Sequence, residues 1–246
     1  MEEIRRNELE ELKKFFVDEG WVDGFFQILF LLEDVKAGVY LQQERKRKKL
    51  KHVRNMLYWF DLYVSMRHGG YATKNSELYR EWNKFFGFES NAEKFLGYPS
   101  CCVKVHNIHV PAYMIHLYSS IKEIKSGRKS QIALRQFLIN LRFLHHHPCK
   151  INCAYSINLE RKFEAVIRKY QWLVKDLLRD FDGQRIRGLI QNLELLPTQL
   201  SRDLLSNRNL LIKLEINSND LREILENAES FRENLTYGKH LLESFL

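Results

Sequence analysis

The stretch "LYVSMRHGGYATKNSELYREWNKFF", residues 62–86, sets two kinds of local order side by side. Residues 62–68 are β-branched and aromatic, the composition of a strand, and Gly69-Gly70 stops the run. Residues 75–86 then read as a helix, with Asn75 or Ser76 as its N-cap and Gly87 past its end. A strand and a helix this close together indicate an α+β chain.

Working outward, helices outnumber strands. Residues 2–18 carry Ile4, Leu9, Leu12, Phe15 and Phe16 at helical spacing among charges, and a more apolar stretch follows from Trp21 to Leu32. "AGVYLQ", residues 37–42, reads as a short strand. Residues 44–60 form a helix whose inward stripe is Leu50, Val53, Met56, Leu57 and Phe60. "SNAEKFLG", residues 90–97, repeats the helix grammar in brief, with Asn91 able to cap and Gly97 to stop the turn. Two helices are expected over 110–125 and 129–144, parted by "SGRKS", and a longer one over 157–181 that Gly183 ends. Beyond residue 184 the chain reads as helical except for "LLIKLEIN", residues 210–217. There Ile212, Leu214 and Ile216 alternate with Lys213 and Glu215, a strand signal. In the helix after it, Asp220 and Glu223 have the spacing of a capping box. The fold expected is α+β, predominantly helical, with a small sheet of two to four short strands. Residues 1–183 form a main domain and 184–246 an extension packed on it, or the whole is one domain.

Composition narrows the class. The chain has 246 residues, 45% hydrophobic and 28% charged, enough to bury a core and unlike a disordered chain. Its longest nearly apolar run is "FFQILFLL", residues 25–32, far short of the roughly twenty residues that span a bilayer. The charged start "MEEIRRNELEEL" lacks the apolar core of a secretory signal. No membrane is therefore expected as a partner, and a cytoplasmic, reducing location is. In such a compartment cysteines point to metal or redox chemistry more than to disulfides. Intracellular proteins of hyperthermophiles are the exception, and the richness in Lys, Glu, Arg, Ile and Leu suits such a source.

All four cysteines fall in two clusters, "GYPSCC" at 97–102 and "HHHPCKINC" at 145–153. Each follows a proline, and proline is favoured at the first position of a helix. Cys101, Cys102 and Cys149 then lie in opening turns, where free N–H groups and the helix dipole favour the thiolate. Cys149 and Cys153 are four apart and share a face if that stretch is helical. Cys101 and Cys102 diverge by about 100°, so one metal ion is expected to take only one of them. The preferred ligands are Cys101 or Cys102, Cys149, Cys153, and a histidine from His145, His146 or His147, with His146 first. Such a set suits zinc; four thiolates also suit an iron–sulfur cluster. His106 and His109 are alternative ligands or support for them, and His68 beside the glycine pair is a pocket candidate. Two readings compete with a metal. In one, a metal-free thiol enzyme uses Cys101 or Cys102 as nucleophile with a nearby histidine as base. In the other, the cysteines are buried and structural.

The paired motifs G-Y-P-x-C-C and H-x-P-C-x3-C resemble the archaeal domain-of-unknown-function family 483. The matching residues are Gly97, Tyr98, Pro99, Cys101, Cys102, His146, Pro148, Cys149 and Cys153, with Ser156 close behind. The resemblance covers about sixty residues. It implies that both clusters belong to one site and supplies no activity, substrate or cofactor.

A second feature is charge. Of a net +8, much lies in "RKRKKLKHVR", residues 45–54. Arg45, Lys46, Arg47, Lys48, Lys49, Lys51 and Arg54 are candidate phosphate contacts for RNA or DNA, and Tyr58, Trp59 and Tyr63 could stack on bases. The alternative is a solvated helix face, since this helix already has an inward side. No P-loop, dinucleotide fingerprint, serine-hydrolase or paired-carboxylate pattern is present.

Overall fold

The computed structural model describes residues 2–41, 47–67, 70–84, 92–106, 112–139, 142–143, 148–149, 153–200 and 202–245. These form a helix-dominated α+β fold with one three-stranded antiparallel sheet, the class expected. They divide into two compact units, Met1–Pro99 with Lys162–Leu177, and Ser100–Arg161 with Leu178–Leu246. The expected division at residue 183 is a cut along the chain, whereas these units interleave.

In the first unit, α1 (Glu2–Asp18) lays Leu9, Leu12 and Phe16 against α2 (Val22–Leu32), which is buried almost all round. Phe30 of α2 stacks on Phe163 at 4.2 Å. The sheet runs β1 (Val39–Tyr40), β3 (Tyr71–Thr73), β2 (Tyr63–Ser65), with Val39, Ala72 and Val64 in register across it. Strands β1 and β2 fall inside the expected stretches 37–42 and 62–68. The central strand β3 is not among the expected strands: all three of its residues are buried and leave no alternation to detect. Between β1 and β2 lies α3 (Arg47–Tyr58). Helix α4 (Ser76–Lys84) is capped as expected: Asn75 Oδ1 accepts from the N–H groups of Glu77 and Leu78 at 2.8 and 3.1 Å. Tyr71 stacks on Trp82 of α4 at 4.4 Å and donates its hydroxyl to the Phe95 carbonyl of α5 (Ala92–Leu96) at 2.9 Å.

One buried base in this unit has a measurable consequence. Lys36 is 5% exposed, donates Nζ to Gln27 Oε1, and sits 5.2 Å from the centre of the Tyr98 ring. Burial lowers its amine to about 7, against the opposing pull of the Asp23 carboxylate. The folded state thus holds fewer protons than the unfolded chain between that value and the ordinary 10.5. Stability from this group therefore rises with pH across that window. Lys36→Met removes the titration, so the difference in melting temperature, wild type minus variant, should grow between about pH 6 and about pH 9. A constant difference would refute the assignment.

In the second unit, α6 (Ser100–His106) precedes α7 (Ala112–Lys125), a central helix with Tyr113, Met114, Ile115, Leu117, Tyr118 and Ile121 buried. Then come α8 (Gln131–Ile139) and α9 (Ala154–Lys169), the latter divided between the units at Arg161. The helix expected over 157–181 is broken. After α9 come the short α10 (Gln171–Val174) of the first unit and then α11 (Leu178–Gln199), with the turn 175–177 between them. Gly183 is buried inside α11 and ends nothing.

The strand expected over 210–217 is also corrected. After α12 (Asp203–Ser206), α13 (Arg208–Lys213) occupies its first half, capped by Asn207, whose side chain accepts from Leu210 N–H. The buried residues over 210–217 are Leu211, Leu214 and Ile216, the first two at helical spacing, while Ile212 is 65% exposed. The apparent alternation was therefore a surface isoleucine in register with buried neighbours. Asn217, not a capping box, caps α14 (Ser218–Glu226). Asp220 and Glu223 instead face Lys122 of α7. Helix α15 (Ala228–Glu243) packs on α7 through Gly238, where a Cβ would come within 2.8 Å of Ile121. A side chain there would force the two helices apart.

Candidate metal centre

Local sequence positions the first two sulfurs. Gly97 has φ +69, a left-handed geometry that ends α5 at no steric cost. Two residues later Pro99 directly precedes α6, so Cys101 and Cys102 occupy its first turn, as the sequence led one to expect. Cys102 is buried and Cys101 half-buried.

The second pair is built differently. Pro148 is buried and Cys149 lies in a bend, not in the opening turn of a helix; the helix starts at Ala154. The expectation that Pro148 opens a helix carrying Cys149 and Cys153 on one face is thus corrected. Five residues separate the proline from α9, and Cys153 itself serves as the N-cap. Its carbonyl accepts from Ile157 N–H at 2.9 Å, and its sulfur accepts from Ser156 backbone N–H, the bond an N-cap oxygen ordinarily takes. One turn on, Glu160 is 2% exposed and accepts the Phe143 N–H with both oxygens, at 2.9 and 3.1 Å. Phe143 also stacks on Phe181 at 5.2 Å, and Arg142 pairs with Asp182 through two bonds of 2.6 and 2.5 Å. These contacts anchor the chain just before the segment that delivers Cys149.

The four sulfurs converge. Cys101 and Cys102 are 3.8 Å apart, Cys101 and Cys153 3.8 Å, Cys102 and Cys153 3.7 Å, and all four lie within 4.8 Å of one another. A tetrahedral ion with metal–sulfur bonds of about 2.3 Å requires sulfur–sulfur edges of about 3.8 Å. Both adjacent cysteines therefore belong to the cluster, contrary to the expectation that one ion takes only one. The angle of divergence describes Cα–Cβ directions, and side-chain torsion brings the sulfurs back together. Cys149 N–H donates to Cys102 Sγ at 3.4 Å, and the Ser156 hydroxyl lies 3.4 Å from the same sulfur.

Those donors also decide which thiol ionises first. Burial raises Cys153, but the Ser156 hydroxyl, the Ser156 N–H and the neighbouring thiols outweigh it and bring it down to about 7. Burial pushes Cys102 well up despite the Ser156 and Cys149 bonds, and pushes Cys149 up to about 12, with the Cys153 charge adding to both. A thiolate at Cys153 disfavours ionisation of Cys102 and Cys149. The reading of Cys102 as a nucleophile fits poorly with this, since that thiol is the raised one and is 1% exposed.

Among the described residues, this is the one group of three or more His, Cys, Asp or Glu with metal-holding geometry. His145, His146, His147, His109 and His68 lie outside the described residues, as do Arg45 and Lys46. His106 ends α6, and Arg47, Lys48 and Lys49 lie on α3; their side chains are outside the description. Lys51 and Arg54 are on α3, remote in chain order from the thiols and in the other unit. Another histidine of the second unit, His116, donates Nε2 to the Leu214 carbonyl at 2.9 Å. Sequence reasoning missed Glu160 and gave Ser156 no role. The only available signal was their spacing from Cys153 at three and seven residues, one helix face.

No helix among the described residues is long and apolar enough to cross a membrane. No family model matches the chain, and searches of curated proteins and of solved structures return no match. Architecture and site together define a helix-dominated α+β protein with a tetracysteine cluster that can hold a metal ion.

Proposed function

We propose that the chain is a zinc protein in which Cys101, Cys102, Cys149 and Cys153 hold one Zn2+ as a structural ion. The observation that carries the reading is the set of sulfur–sulfur distances, 3.7–3.8 Å along three edges. They fit four thiolates around one centre. In a four-iron cluster each cysteine binds a different iron, and in a two-iron cluster the cysteines divide two and two, so in neither do all four sulfurs surround one centre. Four protein sulfurs leave no open position for water or substrate, and that favours a structural over a catalytic role. The N–H group on Cys102 and the Ser156 bonds on Cys153 spread thiolate charge, as partners of metal ligands commonly do. The motifs that resemble family 483 supply these same four sulfurs.

Metal analysis of untagged protein purified without oxygen tests the reading. One zinc per chain and no colour are expected, and cobalt exchanged into the site should show the intense visible bands of tetrahedral thiolate coordination. A metal content near zero, or brown protein with several irons and acid-labile sulfide, would overturn it.

A further inference from the structure

The turn joining α3 to β2 combines features that neither the core nor the cysteine site uses. Val53, Met56, Leu57 and Phe60 are buried, so the helix already has its inward side. Three aromatic side chains are left outside: Tyr58 and Trp59, each 46% exposed, and Tyr63, 42% exposed. Tyr79 stands 5.7 Å from Tyr63, ring centre to ring centre, and extends the surface. Arg54 holds Tyr58 in place, donating Nε to its hydroxyl at 2.8 Å with the guanidinium 5.3 Å from the ring centre.

Two backbone hydrogen bonds close the turn. Asp61 N–H donates to Tyr58 O and Leu62 N–H to Leu57 O, at 3.2 and 3.3 Å, with Asp61 at φ +58. This is the double-bonded left-handed helix end, usually reserved for glycine. The sequence on either side of the turn is strongly basic. Residues 45–67 contain eight Lys or Arg against one acid, Asp61, a net +7 of the chain's +8.

We propose that this turn is a platform for single-stranded nucleic acid, with bases stacked on Tyr58, Trp59 and Tyr63 and phosphates paired with Lys51 and Arg54. Flat aromatic faces accept any base, and a neighbouring cationic stripe tracks the backbone. A duplex hides its base faces, so single strands are preferred. A solvated helix face explains the lysines but gives no reason for three exposed aromatic rings on one turn. The platform lies in the unit without the thiols and does not depend on the metal reading.

Fluorescence anisotropy with labelled oligo(U) and oligo(dT) of about 16 nucleotides, and with a duplex of the same length, tests the proposal. Both single strands should bind more tightly than the duplex, and preference between them separates RNA from DNA as the natural ligand. Trp59→Ala with Tyr63→Ala should weaken binding at least about tenfold, with the melting temperature nearly unchanged because both rings are on the surface. Lys51→Gln with Arg54→Gln should reduce the salt dependence of affinity. Asp61→Asn keeps a residue that tolerates the left-handed turn and removes the acid, so binding should tighten, which no packing role would produce. Absence of single-strand binding at low salt would overturn the proposal. So would equal duplex binding that ignores the aromatic substitutions.

Discussion

On the zinc reading proposed above, replacing Cys102 and Cys153 together by serine should take the metal content from one zinc per chain to none, and lower the melting temperature by far more than a surface substitution does. Cys102 and Cys153 are the two buried cysteines and carry the Ser156 and Cys149 bonds, so the double substitution removes two of the four sulfurs at their most enclosed positions. Structural zinc is worth about 10–16 kcal/mol of apparent binding energy in small zinc peptides, comparable to the entire stability of an ordinary domain, about 5–15 kcal/mol. Loss of the ion should therefore loosen the second unit broadly. Hydrogen exchange should show the start of α6 and the first turn of α9 losing protection before α7 and α15. Serine hydroxyls in buried positions add a cost of about 1–3 kcal/mol each, so a chelator acting on the unmutated protein provides the mutation-free comparison. If chelation and double substitution both leave the melting temperature and exchange pattern untouched, the site holds no structural ion.

Lys122→Met should produce the next largest loss. Lys122 of α7 donates to Asp220 Oδ1 at 2.6 Å and to Glu223 Oε2, both on α14. Ser119 donates to Asp220 Oδ2 at 2.6 Å, and Tyr118, Ser230 and Asn234 donate to Glu223 Oε1 at 2.9, 2.5 and 2.8 Å. The carboxylates are nearly out of solvent, with side-chain exposures of 8% and 16%. Removing Lys122 leaves two negative charges facing each other, a loss of about 3 kcal/mol, the low end for a buried pair because the Lys122 side chain is itself 25% exposed.

The pH dependence gives the sign. Burial raises Glu223, but the Lys122, Ser230 and Tyr118 bonds outweigh it and hold the carboxyl below its ordinary value. Its contribution is therefore present above the ordinary carboxylate range and lost as pH falls through the folded value. In the variant the same burial acts on Glu223 without the cation, so that carboxyl takes up its proton more readily. The deficit relative to wild type should be greatest near neutral pH and shrink in acid. The triple variant Lys122→Met, Asp220→Asn, Glu223→Gln should recover a large part of it. Equal deficits at neutral and acid pH, measured by chemical denaturation, would show that lost packing rather than stranded charge is responsible.

Both sites were partly legible in the sequence, and the missing parts share a cause. With only four cysteines, in two groups, their convergence on one point was readable. How Cys149 and Cys153 arrive there was not, because proline marks a helix start only when nothing downstream offers a better cap. Cys153 offers one through Ser156. The helix over 2–18 and the Asn75 cap are local features, and the structure reproduces them. Strand β3 failed because a strand buried on both sides has no periodic signature in three residues. Residues 210–217 failed because an exposed Ile212 is indistinguishable by type from a buried one. Asp220 and Glu223 were read as a local cap, while their true partner, Lys122, is about a hundred residues away.

The crowding of the thiols also sets how the protein must be handled. With the ion removed in air, Cys102 and Cys153, their sulfurs 3.7 Å apart, need only a small shift to reach disulfide bonding distance of about 2 Å. Dioxygen accepts the two electrons, two protons leave, and the bonded pair no longer has two thiolates to offer a cation. Demetallation on the bench is then a one-way step until a reductant reverses it. On the zinc reading, protein stripped of metal in aerobic buffer should refuse zinc before dithiothreitol treatment and accept it after.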